Sequence, residues 1–223
     1  MRKSLLSIVS FFGLFTVSCS NIEFNEITSK VVIVQPIVIQ SDNGNHPAKI
    51  NLSEKLVDRA YSKADIDFLY LEPLYYNNTK AREGKINLDS IVSLAKINNI
   101  LRGQNDIVNM FFVNAIDGNS GPTGRGMMNG NIVFIALGND EKSNSGDLDS
   151  MNAFVVAHEV GHNLGLKHVV DDPNINDSLP NIQGDGDFKD RIDPKYSLTD
   201  FQIKEIYNSP LVHSRISFLS KNE

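Results

Sequence analysis

The order of its elements predicts that this chain forms one α/β (α+β) domain built on a twisted, mixed β-sheet. Two helices with apolar faces alternate with strands in the first half of the chain, and two further strands and a long helix follow. Of the 223 residues, 41% are hydrophobic and 22% charged, which is ordinary for a folded domain. No internal repeat or linker divides the chain, so we predict a single domain over residues 30–223.

The first strand and the first helix are predicted from local patterns. Residues 31–40, VVIVQPIVIQ, form a continuous, β-branched run, in which Pro36 suggests an edge position or a bulge. Ser53 is a typical N-cap for the helix that follows. Its apolar residues recur at helical spacing, at Leu56, Val57, Ala60, Tyr61 and Ala64. IDFLYLEPLYY, residues 66–76, predicts the second strand.

The middle of the chain predicts one more helix and two more strands. After a polar loop at residues 77–87, the helix runs from about Leu88 to Leu101, before Gly103 as a stop signal. The strands are IVNMFFVNAI (107–116) and NIVFIAL (131–137). The glycine-rich stretch between them lacks the spacing of a phosphate-binding or dinucleotide-binding loop. We therefore interpret it as an irregular loop with a short edge segment.

Two capped helices complete the order of elements. Asp149 or Ser150 can cap a helix that continues through the apolar positions after Met151. Thr199 and Gln202 have the spacing of a capping box, which predicts a helix through about Tyr207.

The N-terminal residues have the pattern of a secretory signal peptide. Arg2 and Lys3 precede an apolar run from about Leu5 to Val17, which is shorter than a membrane-spanning helix needs. Cys19, the single cysteine, follows directly and resembles the lipidated cysteine of a bacterial lipoprotein. That resemblance implies a signal peptide at residues 1–18, a tether at residues 19–29, and a lipid anchor in a bacterial cell envelope. A plain signal peptide, with secretion, is the alternative.

The segment HEVGHNLGLKH, residues 158–168, carries the chemistry. His158 and His162 are four residues apart, so a helix presents both imidazoles on one face, where they can reach one Zn²⁺ ion. Gly165 can end the helix in the left-handed conformation and return His168 as a third ligand. Glu159 lies about 100° round the helix, within reach of a water molecule on the metal.

This H-E-x-x-H-x-x-G-x-x-H segment resembles the metzincin zinc endopeptidases, and the upstream elements look most like pappalysin-type or archaemetzincin-type proteases. The resemblance implies one catalytic zinc ion on the three histidines, with Glu159 as the general base that activates the zinc-bound water. It implies a metzincin-like catalytic domain with an N-subdomain at about 30–165 and a C-subdomain at about 166–223 flanking the zinc cleft. Substrate would bind along an edge segment near Thr123 to Met128, where no residue is chemically distinctive.

The methionine turn that metzincins place beneath the zinc is not matched, since no methionine follows Met151. Residues 179–182, LPNI, align acceptably with the approach to that turn, which places Gln183 at the methionine position. We therefore expect Gln183 to form the floor of the zinc site. A glutamine amide needs hydrogen-bond partners if it is buried there.

The other charged and titratable residues indicate no second metal site. His46 and His213 are isolated and interpreted as surface residues. Asp185, Asp187, Asp190 and Asp193 could bind Ca²⁺, but their spacing does not fit a helix–loop–helix calcium loop, and a solvated acidic loop is favoured.

The leading hypothesis is a lipid-anchored zinc endopeptidase that acts on polypeptides, and we expect it to be monomeric. A zinc-stabilised surface lipoprotein that binds peptides or proteins without cleaving them is the alternative. A small-molecule metallohydrolase is the weakest hypothesis. The formal net charge of −6 and the lack of any basic run argue against a nucleic acid partner, and the membrane is expected to be reached only through the anchor.

Overall fold

A computed structural model of the chain describes residues 30–50, 52–118, 123–137, 145–175, 180–184 and 187–215. The predicted signal peptide, Cys19 and the tether lie outside these ranges, as does Asp185. None of the helices in the described ranges combines the length and the apolar character that a membrane crossing requires.

The described ranges contain seven strands, six α-helices and two short 3₁₀ helices, at Ser62–Ala64 and Val169–Asp171. The strands are β1 (Lys30–Gln40), β2 (Ile66–Tyr70), β3 (Leu74–Asn77), β4 (Val108–Val113), β5 (Thr123–Gly126), β6 (Ile132–Ala136) and β7 (Val212–Ser214). The helices are α1 (Glu54–Tyr61), α2 (Thr79–Arg82), α3 (Leu88–Ile97), α4 (Ser145–Asn163), α5 (Phe188–Arg191) and α6 (Asp200–Tyr207).

The strands form one mixed sheet in the order β2-β1-β4-β6-β5, and β3 and β7 also pair with β1. The pairs β1–β2, β1–β3, β1–β4 and β4–β6 are parallel, whereas β5 is antiparallel to β6 and β7 to β1. Apolar clusters cover both faces of the sheet: α1, α4 and α6 pack on one face, and α2 and α3 on the other. Strands buried on both faces are largely apolar, as β1 and β4 are apart from the buried Gln35 in β1 and Asn109 in β4. The α/β fold class is confirmed.

The edge position predicted for Pro36 is wrong, because β1 lies inside the sheet. On one side β1 pairs with β2 as far as Val34 and with β3 only from Ile37 onwards. Val34 O accepts a hydrogen bond on that side from Leu71 N. Because the backbone N–H and C=O groups of every second residue in a strand point to the same side, the nitrogen of Pro36 also faces this side, where the ladder is interrupted. The missing N–H of proline is therefore not needed there.

Several predicted boundaries also differ from the structure. The strand predicted at residues 66–76 is divided into β2 and β3 around Pro73. The predicted loop at 77–87 contains helix α2. Asn78 caps its first turn, because its Oδ1 accepts a hydrogen bond from Ala81 N (2.9 Å). Helix α3 ends at Ile97 rather than near Leu101, because Asn99 takes a left-handed conformation (φ 54°).

The two later helices give one correction and one confirmation. Helix α4 begins at Ser145, so the predicted caps Asp149 and Ser150 lie inside it. No proline interrupts the polar stretch before them, and the helix extends upstream. The capping box of α6 is confirmed, because Gln202 N donates to Thr199 Oγ1 and Thr199 N donates to Gln202 Oε1.

Candidate metal centre

Helix α4 carries the first half of the site and is fixed beneath the sheet by buried contacts. Its apolar face, with Val156, Ala157 and Val160 fully buried, belongs to the cluster shared with α1 and the sheet. The hydroxyl of Tyr61, at the end of α1, donates to Ala157 O (2.7 Å). This contact lies one residue before the first histidine of the motif, so α1 supports the backbone of α4 where the site begins.

The structure brings His158, His162 and His168 together. One ring nitrogen of each lies within 4.8 Å of the others, and the Nε2 atoms of His158 and His168 are 3.3 Å apart. In the part of the chain that the structure describes, no other group of three or more histidine, cysteine or carboxylate side chains is arranged so that it could hold a metal ion. His46 and His213 stay outside it; His213 Nε2 instead contacts Asp106 O (2.7 Å).

The turn that returns His168 depends on Gly165, as the sequence predicted. Gly165 has φ +95°, and a Cβ there would lie 2.9 Å from Asn129 Oδ1. Two hydrogen bonds close the helix in a Schellman motif, from Leu166 N to Gly161 O (2.9 Å) and from Gly165 N to His162 O (3.1 Å). The chain therefore reverses three residues after the last helical ligand, His162.

The hydrogen bonds of the imidazoles leave one nitrogen of each helical histidine directed to the cluster. His158 Nδ1 contacts Ile182 O and His162 Nδ1 contacts Leu166 O, both at 2.8 Å. Since carbonyl oxygens only accept, Nδ1 carries the proton and Nε2 keeps its lone pair. Burial lowers the pKa of His158 to about 4 and also lowers the pKa of His162, which keeps both rings neutral near pH 7. Three imidazole donors this close together fit Zn²⁺.

Glu159 projects towards the edge strand β5. Its Oε2 accepts a hydrogen bond from Gly126 N (2.5 Å). Burial raises the pKa of Glu159 to about 7, although this hydrogen bond and the charge of Arg125 oppose the shift. The carboxylate is thus held beside the histidines and against the segment expected to bind substrate.

Two glycines allow this close approach, and the sequence interpretation missed them. A Cβ on Gly124 would lie 2.4 Å from Glu159 Cγ, and one on Gly126 would lie 2.1 Å from Glu159 O. Neither distance is compatible with a side chain larger than hydrogen. The alternating glycines of T-G-R-G, residues 123–126, were the available signal of a close backbone contact. The edge segment predicted near Thr123 to Met128 is present as β5.

Gln183 lies buried in the same cavity as His158, Glu159 and His168. Its side-chain Nε2 donates to His158 O (2.7 Å), whereas its side-chain Oε1 has no hydrogen-bond partner. Its backbone carbonyl accepts a hydrogen bond from Val169 N (3.0 Å). A Cβ on Gly161 would meet Gln183 Nε2, so the amide lies directly against α4 between the two helical histidines. The residue connects the helix to the segment that follows His168.

A cavity of about 510 Å³ opens beside the histidines, and a second of about 270 Å³ borders His162 and His168. The wall of the larger cavity includes Phe154 and Arg191, neither of which was predicted as a site residue; Phe154 was expected only as an apolar position of the helix. The ring of Phe154 lies 5.5 Å from that of His158, and the guanidinium carbon of Arg191 lies 4.5 Å from the Phe154 ring. Phe154 precedes His158 by one helical turn, which is the signal that could have identified it.

Two of the described acidic residues after the site, Asp187 and Asp193, have side-chain partners. Asp193 forms an ion pair with Arg59 (2.9 Å) and accepts from Lys195 N, and Asp187 accepts from Lys189 N. Asp190 lies in helix α5 rather than in a loop.

Comparison with known proteins adds a family match to this geometry. The profile of a family described as metallo-peptidase family M12B, reprolysin-like, matches residues 47–169, which is more than half of the chain and includes the three histidines. No curated protein matches the chain significantly.

Solved structures with low sequence identity resemble the chain over most of its length. An archaemetzincin from Methanopyrus kandleri has 11% identity and a TM-score of 0.47, over 80% of this chain and 94% of that one. A zinc-dependent peptidase from Methanocorpusculum labreanum has 12% identity and a TM-score of 0.47, over 78% of this chain and 99% of that one. An archaemetzincin from Archaeoglobus fulgidus, complexed with malonate, has 14% identity and a TM-score of 0.43, with coverages of 78% and 99%.

Proposed function

The chain belongs to the reprolysin-like metallopeptidase family M12B, and from that premise we propose that it is a zinc-dependent endopeptidase with Glu159 as its general base. The membership confirms the metzincin resemblance of the zinc motif. The observation that carries the proposal is the convergence of three imidazoles, with donor atoms within 4.8 Å, beside the half-buried carboxylate of Glu159.

Zinc would be held by His158, His162 and His168, and when bound it would supply Lewis acidity to the substrate carbonyl and to a water molecule. Ile182 O and Leu166 O orient two of these imidazoles through Nδ1. Glu159 accepts the proton of the attacking water and returns it to the leaving amine. The hydrogen bond from Gly126 N holds the carboxylate in place for both transfers.

Two features support cleavage within a polypeptide rather than at its end. Both cavities border His168, and the larger also borders His158 whereas the smaller also borders His162, so a bound chain has room on both sides of the cluster. Strand β5 pairs only with β6 among the described strands, and Gly126 N–H is directed away from β6 towards Glu159. Apart from the Gly126 N–H, which already donates to Glu159, the outer edge of β5 can therefore pair with an extended peptide.

The direct experiment is the cleavage of a diverse peptide library by purified protein that begins after Cys19. We expect internal cuts that stop when a chelator is added and resume with Zn²⁺. Glu159→Ala should retain zinc and lose turnover, because the ligands stay in place. Zinc-bound protein that cuts no peptide, but still binds some of them, would instead favour the alternative of a non-cleaving peptide-binding lipoprotein.

We also propose that Cys19 anchors the protein in a bacterial cell envelope. The support is the apolar run that ends just before the cysteine. In an expressing bacterium, the wild-type protein should incorporate labelled palmitate and partition with membranes. A Cys19→Ala variant that behaves identically in both measurements would contradict the anchor and leave the plain signal peptide.

A further inference from the structure

The hairpin formed by β5 and β6 is fastened to the end of helix α4 by the side chain of Asn163. This residue is the last of α4, it is buried, and it directly follows His162. Its Nδ2 donates two hydrogen bonds, to Met127 O (2.9 Å) just after β5 and to Ile132 O (3.0 Å) at the start of β6. One amide therefore joins both strands of the hairpin to the helix that carries two of the histidines.

Backbone contacts complete this junction. Asn129, in the turn of the hairpin, has a left-handed conformation (φ 52°), and its N–H donates to His162 O (3.0 Å). Further along β5, Gly126 N donates to the carboxylate of Glu159. The hairpin thus contacts α4 at the backbone of one predicted zinc ligand and at the side chain of the proposed base, so these contacts set where β5 lies relative to the metal centre.

Stability alone gives little reason for an amide at the end of α4. Asn163 is 1% exposed, and its Oδ1 has no hydrogen-bond partner among the described residues. Both carbonyl acceptors have a second donor, because Gly130 N also donates to Met127 O, and Met127 N donates to Ile132 O. A leucine at this position would leave neither carbonyl unpaired and would remove the unpartnered oxygen, so little stability should be lost. A buried polar group retained under these conditions indicates a functional constraint.

We propose that Asn163 is a positioning residue that holds β5 in register with the zinc-binding helix. The proposal rests on the peptidase function above, in which an extended peptide pairs with the outer edge of β5 and is cleaved beside Glu159. Without the two hydrogen bonds from Asn163, the peptide can still pair with β5, but β5 no longer presents it accurately to the histidines. A displacement of about 1 Å is enough to lower a rate by about 100-fold.

The kinetic test compares Asn163→Leu with the wild type. We expect kcat of the zinc-loaded variant to fall at least tenfold and KM to stay within about threefold, because the peptide-binding edge is retained. The Kd for zinc, measured by competition with a chromophoric chelator, should also stay within about threefold, since the three histidines keep their own partners. In a purely structural role, Asn163→Leu would lower the free energy of unfolding and leave kcat of the folded protein unchanged.

Hydrogen exchange provides a measurement that needs no cleavage. Exchange of individual backbone N–H groups is followed by NMR in the zinc-free wild type and in zinc-free Asn163→Leu. The N–H groups of Met127 and Asn129 lie in the hairpin that Asn163 holds, and both are hydrogen-bonded. We expect Asn163→Leu to accelerate their exchange at least tenfold, because the hairpin opens locally more often, and to leave exchange in β1 unchanged.

Gln35 offers a matched control in strand β1. It is also buried, and its Nε2 also donates to two backbone carbonyls, Pro36 O and Glu72 O (both 2.9 Å). Gln35→Met should leave kcat and the exchange of the hairpin unchanged, whatever stability it loses. If circular dichroism shows that Asn163→Leu does not fold, Asn163→Ala carries the test, because alanine removes both donors and is favourable in a helix.

The outcomes separate this proposal from the proposed activity. A wild-type kcat or wild-type hairpin exchange in the Asn163 variant overturns the role of Asn163 while the peptidase stands. A loss of kcat that Gln35→Met shares overturns it as well, because the loss then follows from the removal of any buried amide. Faster hairpin exchange in the Asn163 variant, with no cleavage by the zinc-loaded wild type, supports the hold of Asn163 on β5 and overturns the peptidase.

Discussion

Adding one methyl group at Gly124 should disable the site without unfolding the protein. A Cβ there would lie 2.4 Å from Glu159 Cγ, about 1 Å short of an ordinary van der Waals contact. The glutamate side chain can relieve the overlap by moving, so we expect Gly124→Ala to cost less than about 1 kcal/mol of stability. A displacement of about 1 Å at a catalytic group lowers rates by about 100-fold. The three histidines are not touched, and zinc binding should be unchanged.

The Gly126→Ala variant, in the same strand, should behave differently, because the added Cβ meets backbone rather than a side chain. Its Cβ would lie 2.1 Å from Glu159 O, which is helix backbone and cannot rotate away. Either β5 or α4 has to shift, and overpacking of this kind costs about 1–3 kcal/mol or more. We therefore expect Gly126→Ala to lose both activity and stability.

The assay is kcat/KM on a quenched fluorescent peptide, with urea unfolding and zinc content measured on the same preparations. Arg125→Lys, in the same strand, keeps the charge paired with Asp117 and serves as the control. Activity of Gly124→Ala within threefold of wild type, or wild-type stability of Gly126→Ala, would refute the idea that these glycines admit Glu159 and its helix.

Three further perturbations test other parts of the molecule. Gln183→Met removes the hydrogen bond to His158 O, but it also removes a buried Oε1 that has no partner. The free energy of unfolding of the zinc-free protein, measured in urea, should therefore change by no more than about 1 kcal/mol. A loss above about 3 kcal/mol would show that the amide is essential. Burial raises the pKa of Asp58 to about 6 from 3.8, so the native state keeps this proton longer than the unfolded state and stability falls as the pH rises between those values. Since the carboxyl is partly exposed and screened, Asp58→Asn should stabilise by only about 1 kcal/mol at pH 8 and by little at pH 4 in thermal melts; an equal gain at both values would contradict the sign. Chelation of zinc-saturated protein should lower Tm by about 10 °C, because saturation at 1,000 times Kd contributes about 4 kcal/mol; an unchanged Tm would argue against a metal that binds the folded state.

Those parts of the fold that depend on local patterns could be predicted from the sequence. The apolar runs at 31–40, 107–116 and 131–137 correspond to β1, β4 and β6, and the capping box at Thr199 marks the start of α6. The position of Pro36 inside the sheet could not be predicted, because it depends on where β2 ends and β3 begins on the neighbouring side. That break is a property of strand pairing and has no signal within β1 itself.

The candidate site likewise has one part that local sequence patterns predict and another part that depends on contacts across the fold. His158 and His162 are brought together by helical periodicity, and Gly165 returns His168 through a local turn, so their placement followed from eleven residues. Contacts across the fold, such as Glu159 with Gly126 and Arg191 with Phe154, join residues more than 30 positions apart. They depend on how α4 packs against β5 and α5.

Stepwise addition of Zn²⁺ to metal-free protein, with peptide cleavage measured at each step, tests the central claim most directly. We expect the rate to rise linearly up to one zinc ion per chain and then to stop rising. Glu159→Gln should take up the same single equivalent and show a rate at least 1,000-fold lower. Full activity before zinc is added, or a Glu159→Gln variant as active as wild type, would contradict a zinc peptidase that uses Glu159 as its base.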